Sequence, residues 1–172
     1  LAFLLVLTVL VFSSPYRRAR IFSYLNPWVD PQGSGFQLVQ SQIGVGSGGI
    51  LGLGIGESRQ KLFFLPAAHT DFIFAIVAEE FGFVGSILVL FFYIFIFLQG
   101  LRILKWTKDY FHFCLGWGAL LIITLQALIN ISVVLGVLPT KGIPLPFMSY
   151  GGSSTVVSFM LLGLFLNATK ET

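Results

Sequence analysis

Five long runs of this sequence contain no charged residue, and they limit the possible folds more than any other feature does. They cover residues 1–16, 31–56, 81–101, 110–140 and 142–169, and the charged residues lie in the gaps or at the C-terminal end. A helix needs about 20 apolar residues to cross the hydrocarbon core of a membrane, and it satisfies its own backbone hydrogen bonds there. The sequence therefore predicts an all-α polytopic membrane protein.

The same runs predict the domain organisation. Leu1 stands inside an apolar run, with no initiator Met and no features of a signal peptide before it. We therefore expect one C-terminal membrane-domain fragment of a longer protein, inactive by itself. About five spans are expected, at about 1–13, 35–56, 82–101, 111–137 and 153–167, with exterior loops at about 57–81 and 138–152.

The basic residues predict the orientation in the membrane. Assigning alternate gaps to opposite sides collects seven Lys and Arg residues on one side and three on the other, and the larger group marks the cytoplasm. Because these charges lie at span ends, the net charge of +3 does not indicate a nucleic-acid partner. The cytoplasmic group is Arg17, Arg18, Arg20, Arg102, Lys105, Lys108 and Lys170, and the exterior group is Arg59, Lys61 and Lys141.

Glycines at four-residue spacing mark the predicted span 35–56. Gly44, Gly48, Gly52 and Gly56 would share one face of a continuous helix, and small residues there let a neighbouring backbone approach closely. We therefore expect this span to pack against protein through its glycine face.

Ionisable residues gather in the exterior segment from Gln60 to Glu80. Charged groups are costly at membrane depth, so such residues usually line a watery cavity or act on a substrate. Asp71 is a candidate general base beside His69, with Arg59 and Lys61 as cationic neighbours. The competing interpretation is that Asp71 only caps its helix and that Lys61 only meets lipid headgroups.

Local patterns around this segment give further expectations. We expect Thr70 to cap the helix that follows it, with the helix dipole favouring ionised Asp71, and Glu79 and Glu80 to lie at an interfacial helix end. A zinc site would need three or four suitably spaced ligands, which two distant His and Cys114 do not supply, so no protein metal site is expected.

Several long motifs carry a resemblance to a known family. RRARIFSYLNPW, GFQLVQSQ, GSGGILGLGIGESRQKLFFLP, AHTDFIFAIVAEEFG and LPTKGIPLPFMSYGGSS occur in this order from Arg17 to Ser154. Together they resemble the C-terminal half of the SEDS family (shape, elongation, division and sporulation), most closely its division branch, FtsW. The resemblance implies a bundle of ten transmembrane helices, of which this chain holds about the last five.

The resemblance also implies an activity and its residues. SEDS proteins are peptidoglycan glycosyltransferases that polymerise lipid II in the bacterial cytoplasmic membrane, beside a class B penicillin-binding protein and, at the septum, other divisome proteins. The aspartate of their H-T-D-F motif is catalytic, which corresponds to Asp71. Family members commonly have Glu where this chain has Ala67, so no acid role carries over to that position.

The chemistry of such a transfer fits the residues at hand. A sugar hydroxyl needs one base, and a leaving pyrophosphate can be stabilised by cations instead of a second carboxylate. Lys61 and Arg59 are the candidates for that role, and a divalent ion, Mg²⁺ or Mn²⁺, can share it. His69, Gln40 and Ser149 are further candidate substrate contacts.

Three alternatives stay open at this point. The protein could translocate lipid II without chemistry, with Gln126 and Asn130 marking the path. It could be a scaffold whose glycine face and exterior loops recruit a partner. It could also be an elongation-type polymerase of the RodA branch rather than a division enzyme.

Overall fold

The computed structural model describes residues 23–33, 35–58 and 70–170 of the 172-residue chain. All regular structure in these residues is helical, which confirms the all-α class. The elements are a short 3-10 turn at Pro27–Val29, α1 at Phe36–Ser47, α2 at Ile73–Leu104, α3 at Tyr110–Val134 and α4 at Gly152–Thr169.

Three helices, α2, α3 and α4, are long and apolar enough to cross a membrane. They correspond to the predicted spans at 82–101, 111–137 and 153–167, whereas the predicted span at 1–13 lies outside the described residues. Asp109 caps the start of α3, where its carboxylate accepts hydrogen bonds from the backbone N–H of His112 at 3.2 Å and from its ring at 2.6 Å.

Helix α2 is broken at Gly82, whose φ of 66° and ψ of −156° belong to a region that essentially only glycine adopts. The chain folds back there: a Cβ atom at Gly85 would lie 3.8 Å from the Val77 carbonyl oxygen. In a continuous helix those residues would be about 12 Å apart along the axis. The part after Gly82, about 33 Å long at 1.5 Å per residue, is the length of a membrane span.

The prediction of a span at 35–56 is wrong. Helix α1 ends at Ser47, and the residues that follow form an irregular segment, the glycine turn (48–56). Four of its glycines have φ values of 55°, 83°, 113° and 87° (Gly49, Gly52, Gly54 and Gly56), so a regular helix cannot continue. The four glycines Gly44, Gly48, Gly52 and Gly56 therefore do not share one helical face.

The glycine turn instead pairs with α2 where that helix is broken. Leu53 and Gly54 donate backbone hydrogen bonds to the carbonyls of Glu79 and Glu80, while Phe83 and Val84 donate to Gly49 and Ile50 (2.9–3.3 Å). A Cβ atom at Gly48 or Gly52 would lie 2.0 Å from the carbonyl oxygen of Ala78 or Glu80, respectively. Two interrupted segments thus satisfy each other's backbone groups, which irregular structure near a membrane requires.

Residues 23–58 lie at the same end of the bundle as the loop between α3 and α4, which corrects the predicted orientation of this stretch. Tyr24 donates its hydroxyl to the Val137 carbonyl at 2.6 Å, and Ser41 donates to Val134 at 3.1 Å. The connection before residue 35 was expected in the cytoplasm, whereas the described part of it contacts the predicted exterior end. Arg17, Arg18 and Arg20 themselves lie outside the described residues.

Two apolar clusters hold the spans together, with α3 between its neighbours. The cluster under the outer end includes Phe72, Ala75, Tyr93 and Ile131. The inner cluster contains Leu104, Ala119, Leu120 and Phe165. Close helix packing occurs there: a Cβ atom at Gly100 would meet Leu120, and one at Gly116 would meet Leu104, each at 2.7 Å. The outer residues 23–58, 70–81 and 135–151 thus form a layer, here called the outer layer, above the spans.

Candidate functional site

Asp71 lies in the turn Thr70–Phe72 that leads into α2, within the outer layer. Phe72, not Thr70, is the N-cap residue of α2, and no side chain caps this end, so the expected Thr70 cap is wrong. The competing interpretation, in which Asp71 only caps its helix, is also wrong, because the Asp71 carboxylate makes no capping hydrogen bond.

Two side chains from distant parts of the chain hold the backbone of this turn. Asn130 of α3 donates its amide to the Asp71 carbonyl at 2.7 Å and to the Ile143 carbonyl at 2.6 Å. Ser149 donates its hydroxyl to the Thr70 carbonyl at 2.5 Å. Because Asn130 lies about one helical turn before the end of α3, the Asp71 backbone is held below the outer ends of the spans.

The loop between α3 and α4, here called the outer loop (135–151), is itself fastened to the spans. Gln126 donates to the Pro144 carbonyl at 2.9 Å, and Tyr93 donates to the Pro146 carbonyl at 2.5 Å. Phe147 has a φ of 65°, which is strained for a bulky residue, and its ring packs edge-on against Phe159 of α4 at 5.5 Å. The loop therefore dips back among the helices.

The Asp71 carboxylate faces the outer loop. A Cβ atom placed at Gly142 would lie 3.0 Å from its Oδ2, so only glycine leaves the carboxylate its present position. Burial raises the pKa of Asp71 above its ordinary value. This direction is opposite to the one expected from the helix dipole, and its cause is desolvation of the carboxylate by burial. A carboxylate with a raised pKa is a better proton acceptor than an ordinary surface aspartate.

The structure treats the other predicted site residues differently. Arg59, Lys61 and His69 lie outside the described residues. Gln40 is half-buried in α1, within the outer layer. Ser149 is 6% exposed, and its hydroxyl donates to Thr70 while accepting a 2.7 Å hydrogen bond from the Leu145 N–H. The expectation of Ser149 as a substrate contact is therefore corrected, because its only donor is engaged within the protein.

The expectation that Glu79 and Glu80 lie at an interfacial helix end is wrong. Glu79 and Glu80 are 1% and 5% exposed, so they do not lie at an open interfacial helix end. Ser58 donates its hydroxyl to Glu79 at 2.5 Å, and Ser47 is 3.5 Å away. Glu79 thus ties the end of α1 and the end of the glycine turn to α2. No local pattern predicts this, since the three residues are far apart in sequence.

Lys141 is a further candidate site residue, which the sequence analysis includes only among the exterior basic residues. It is exposed and immediately precedes Gly142, the residue that faces the Asp71 carboxylate. The signal that pointed to it was its position in the L-P-T-K-G motif of the outer loop. Across the described ranges, no group of three or more His, Cys, Asp or Glu side chains is suitably arranged for a metal ion.

An apolar groove lies where the outer layer meets the spans. Its volume is about 320 Å³. Its walls come from α1, the glycine turn, α2 and α3, and include Val45, Phe74, Ser86 and Ile131. A groove of this size and apolar character suits a hydrocarbon chain more than a sugar.

Comparison with known proteins agrees with this architecture. Residues 1–172 match the model of the FtsW, RodA and SpoVE family of cell cycle proteins. The chain belongs to this family. A probable peptidoglycan glycosyltransferase FtsW of Geobacter metallireducens is 47% identical over 162 residues, which are 94% of this chain and 43% of that protein. Stage V sporulation protein E of Bacillus subtilis is 50% identical over 161 residues, 94% of this chain and 44% of that protein.

A solved structure supports the same conclusion. It comes from work on the "structural coordination of polymerization and crosslinking by a peptidoglycan synthase complex" and superimposes with a TM-score of 0.74 at 30% identity. The match covers 99% of this chain and 46% of that one. The family resemblance drawn from the motifs is thus confirmed, and the chain spans less than half the length of the relatives it matches.

Proposed function

We propose that the full-length protein is a peptidoglycan glycosyltransferase that polymerises lipid II, with Asp71 as its general base. The observation that carries this proposal is the position of the Asp71 carboxylate. The carboxylate is partly buried and faces a glycine of the outer loop. The backbone of the turn that carries it is held by two side chains from other segments. The relatives named as probable peptidoglycan glycosyltransferases support the reaction class.

The reaction that Asp71 would serve is a displacement at a sugar carbon. The 4-hydroxyl oxygen of an acceptor GlcNAc forms a bond to the anomeric carbon of a MurNAc, and its proton passes to the Asp71 carboxylate. The bond from that carbon to undecaprenyl pyrophosphate breaks, and the pyrophosphate leaves with the electron pair, so the anomeric centre inverts. Asp71 must be ionised to act as a base. Because its pKa is raised, we expect activity to be lost on acidification at a higher pH than the pKa of an ordinary aspartate would give.

The leaving pyrophosphate needs positive charge. Lys141 immediately precedes Gly142, the residue that faces the carboxylate, and Arg59 and Lys61 are further candidates from the sequence. A Mg²⁺ or Mn²⁺ ion is compatible with this site, since such ions are commonly held by one or two carboxylates plus the phosphates of a substrate.

The lipid portion of the substrate also has a candidate place. The apolar groove of about 320 Å³ lies between α1, α2 and α3, and its lining includes Phe74, three residues after Asp71. An isoprenoid chain lying there would bring its pyrophosphate towards the outer layer. This arrangement explains why a sugar-transfer site would be built at a membrane surface.

The decisive experiment measures glycan strands formed from purified lipid II by the full-length protein and by Asp71→Asn. Loss of a general base typically costs about 10²- to 10⁴-fold in rate, so the variant should lose most of its activity. Asp109→Asn is the matched control, because that carboxylate is exposed at the opposite end of the bundle and should leave polymerisation unchanged. Equal rates for wild type and Asp71→Asn would remove Asp71 from the mechanism.

Translocation of lipid II is the second candidate function, and an assay of headgroup accessibility in liposomes separates it from polymerisation. Gln126 and Asn130, which would mark a transport path, donate their amides to backbone carbonyls of the outer layer. This engagement favours polymerisation. Flipping that survives Asp71→Asn without any polymer would favour the transporter.

We further propose that the outer layer faces the exterior and that the protein acts at the division septum beside a class B penicillin-binding protein. Among the described residues, Arg102, Lys105, Lys108 and Lys170 lie at one end and Lys141 at the other, which supports this orientation. Labelling of single cysteines at positions 141 and 108, in a Cys114→Ser background, tests it with an impermeant reagent. Complementation of strains that lack the division or the elongation member tests the septal role, and co-purification tests the partner.

A further inference from the structure

We propose that Asn130 and Ser149 are positioning residues that fix the Asp71 turn against the outer loop. The inference rests on the proposed function, since positioning matters only if Asp71 acts on the substrate. Neither residue is a substrate contact in this scheme. Both act through the backbone of Thr70 and Asp71, and they couple the conformation of the outer loop to the location of the carboxylate.

Asn130 is committed to this role by its hydrogen bonds. It is 1% exposed, and its side-chain nitrogen donates to the carbonyls of Asp71 and Ile143. Both partners are carbonyl oxygens, which only accept, so the amide orientation is fixed by chemistry. Within the described part of the chain its Oδ1 has no hydrogen-bond partner, so the polar contacts of this side chain are made by its amide nitrogen.

Ser149 repeats this arrangement from the other side. Its hydroxyl donates to the Thr70 carbonyl and accepts from the N–H of Leu145, a residue that is 1% exposed. A hydroxyl has one donor, so a single oxygen links the turn before α2 to the buried part of the outer loop. Two consecutive carbonyls, of Thr70 and Asp71, are thereby held by two different segments.

The consequence for catalysis is geometric. The two hydrogen bonds use backbone atoms of the turn, and no described residue donates a hydrogen bond to the Asp71 carboxylate, which leaves it available to a substrate hydroxyl. The outer loop is in turn fastened by Gln126 and Tyr93. Movement of the loop would therefore move Asp71, and a misplacement of about 1 Å is enough to cost about 10²-fold in rate.

Asn130→Ala and Ser149→Ala in the full-length protein test the inference, with Thr124→Ala as the matched control. Thr124 is also a polar residue of α3, but its hydroxyl donates to the Leu120 carbonyl of the same helix, at 2.8 Å, and not to the outer loop or the Asp71 turn. We expect kcat per folded protein to fall about 10²-fold in Asn130→Ala, with KM for lipid II little changed. The acid limb of its pH profile should shift to lower pH, because a loosened turn exposes the carboxylate to water.

The two serine variants keep the test decisive if Asn130→Ala does not fold. Ser149→Thr retains a hydroxyl and should restore part of the activity that Ser149→Ala loses, whereas a purely structural defect would change only the amount of folded protein. If Asp71→Asn is inactive while Ser149→Ala and Asn130→Ala match Thr124→Ala in kcat and pH profile, the positioning role is overturned and the proposed function stands. If Asp71→Asn is fully active, the proposed function falls first.

Discussion

Gly142→Ala tests whether the Asp71 carboxylate acts from its present position. The added Cβ would lie 3.0 Å from Oδ2 and 3.8 Å from Cγ, so the carboxylate must move by a few tenths of an ångström. If a 1 Å misplacement costs about 10²-fold, or about 2.7 kcal/mol, a shift of ~0.4 Å scales to ~1 kcal/mol and a fall in kcat of about 6-fold. The methyl group also removes water from the carboxylate, which raises the pKa of Asp71 further.

The assay is the initial rate of strand synthesis from lipid II by the full-length protein, measured between pH 4 and pH 8. Gly152→Ala is the control, because no atom lies within 4 Å of a Cβ at that position. We expect Gly142→Ala to lower the rate and to move its acid limb to higher pH, while Gly152→Ala changes neither. A Gly142→Ala protein with the wild-type rate and the wild-type acid limb would refute the placement of Asp71 as base.

Three further predictions concern the framework. Gly82→Ala should destabilise the detergent-solubilised protein by more than about 3 kcal/mol, because the φ of Gly82 excludes other residues and the glycine turn leaves no space for a Cβ atom. Gly118→Ala is the control and should be neutral or stabilising, because no atom lies within 4 Å of a Cβ atom at that position. Glu79→Ala should lower the unfolding temperature and speed proteolysis near Ser58, whose hydroxyl loses its acceptor, and unchanged cleavage would contradict this tie. The hydrogen bonds from His112 lower the pKa of Asp109. The ionised Asp109 carboxylate should therefore stabilise the protein fully above about pH 4, and this stabilisation should be lost as the pH falls through the lowered pKa. Asp109→Ala should abolish this pH dependence of stability.

Part of the candidate site follows from the sequence, and part does not. The H-T-D-F motif marks Asp71 as the candidate base, and the prolines and glycines of the outer loop predict its irregular course. The hydrogen bond from Asn130 to Asp71 joins residues 59 positions apart, and the one from Ser149 to Thr70 joins residues 79 apart. A local sequence pattern does not reveal contacts between residues so far apart, and the positions of Asn130 and Ser149 against the Asp71 turn are visible only in the fold.

The region 35–56 shows where a one-dimensional pattern misleads. Its charge-free, glycine-rich composition satisfies the length criterion for a span, and glycines four apart match a helical face. Only the tertiary structure reveals that Gly82 breaks α2 and that the glycine turn supplies the missing backbone partners. Glycine permits both outcomes, because its backbone adopts negative and positive φ values with little difference in energy.

The sequence by itself determined the membrane class, the three long spans, the family and the carboxylate proposed as base, because each depends on composition, run length or a contiguous motif. The tertiary structure decided where the chain leaves the helical path, which side chains hold the Asp71 turn, and that Glu79 is buried against serines of two other segments. These properties depend on which distant backbone groups need a hydrogen-bond partner after the helices have packed, and that need exists only in the folded protein.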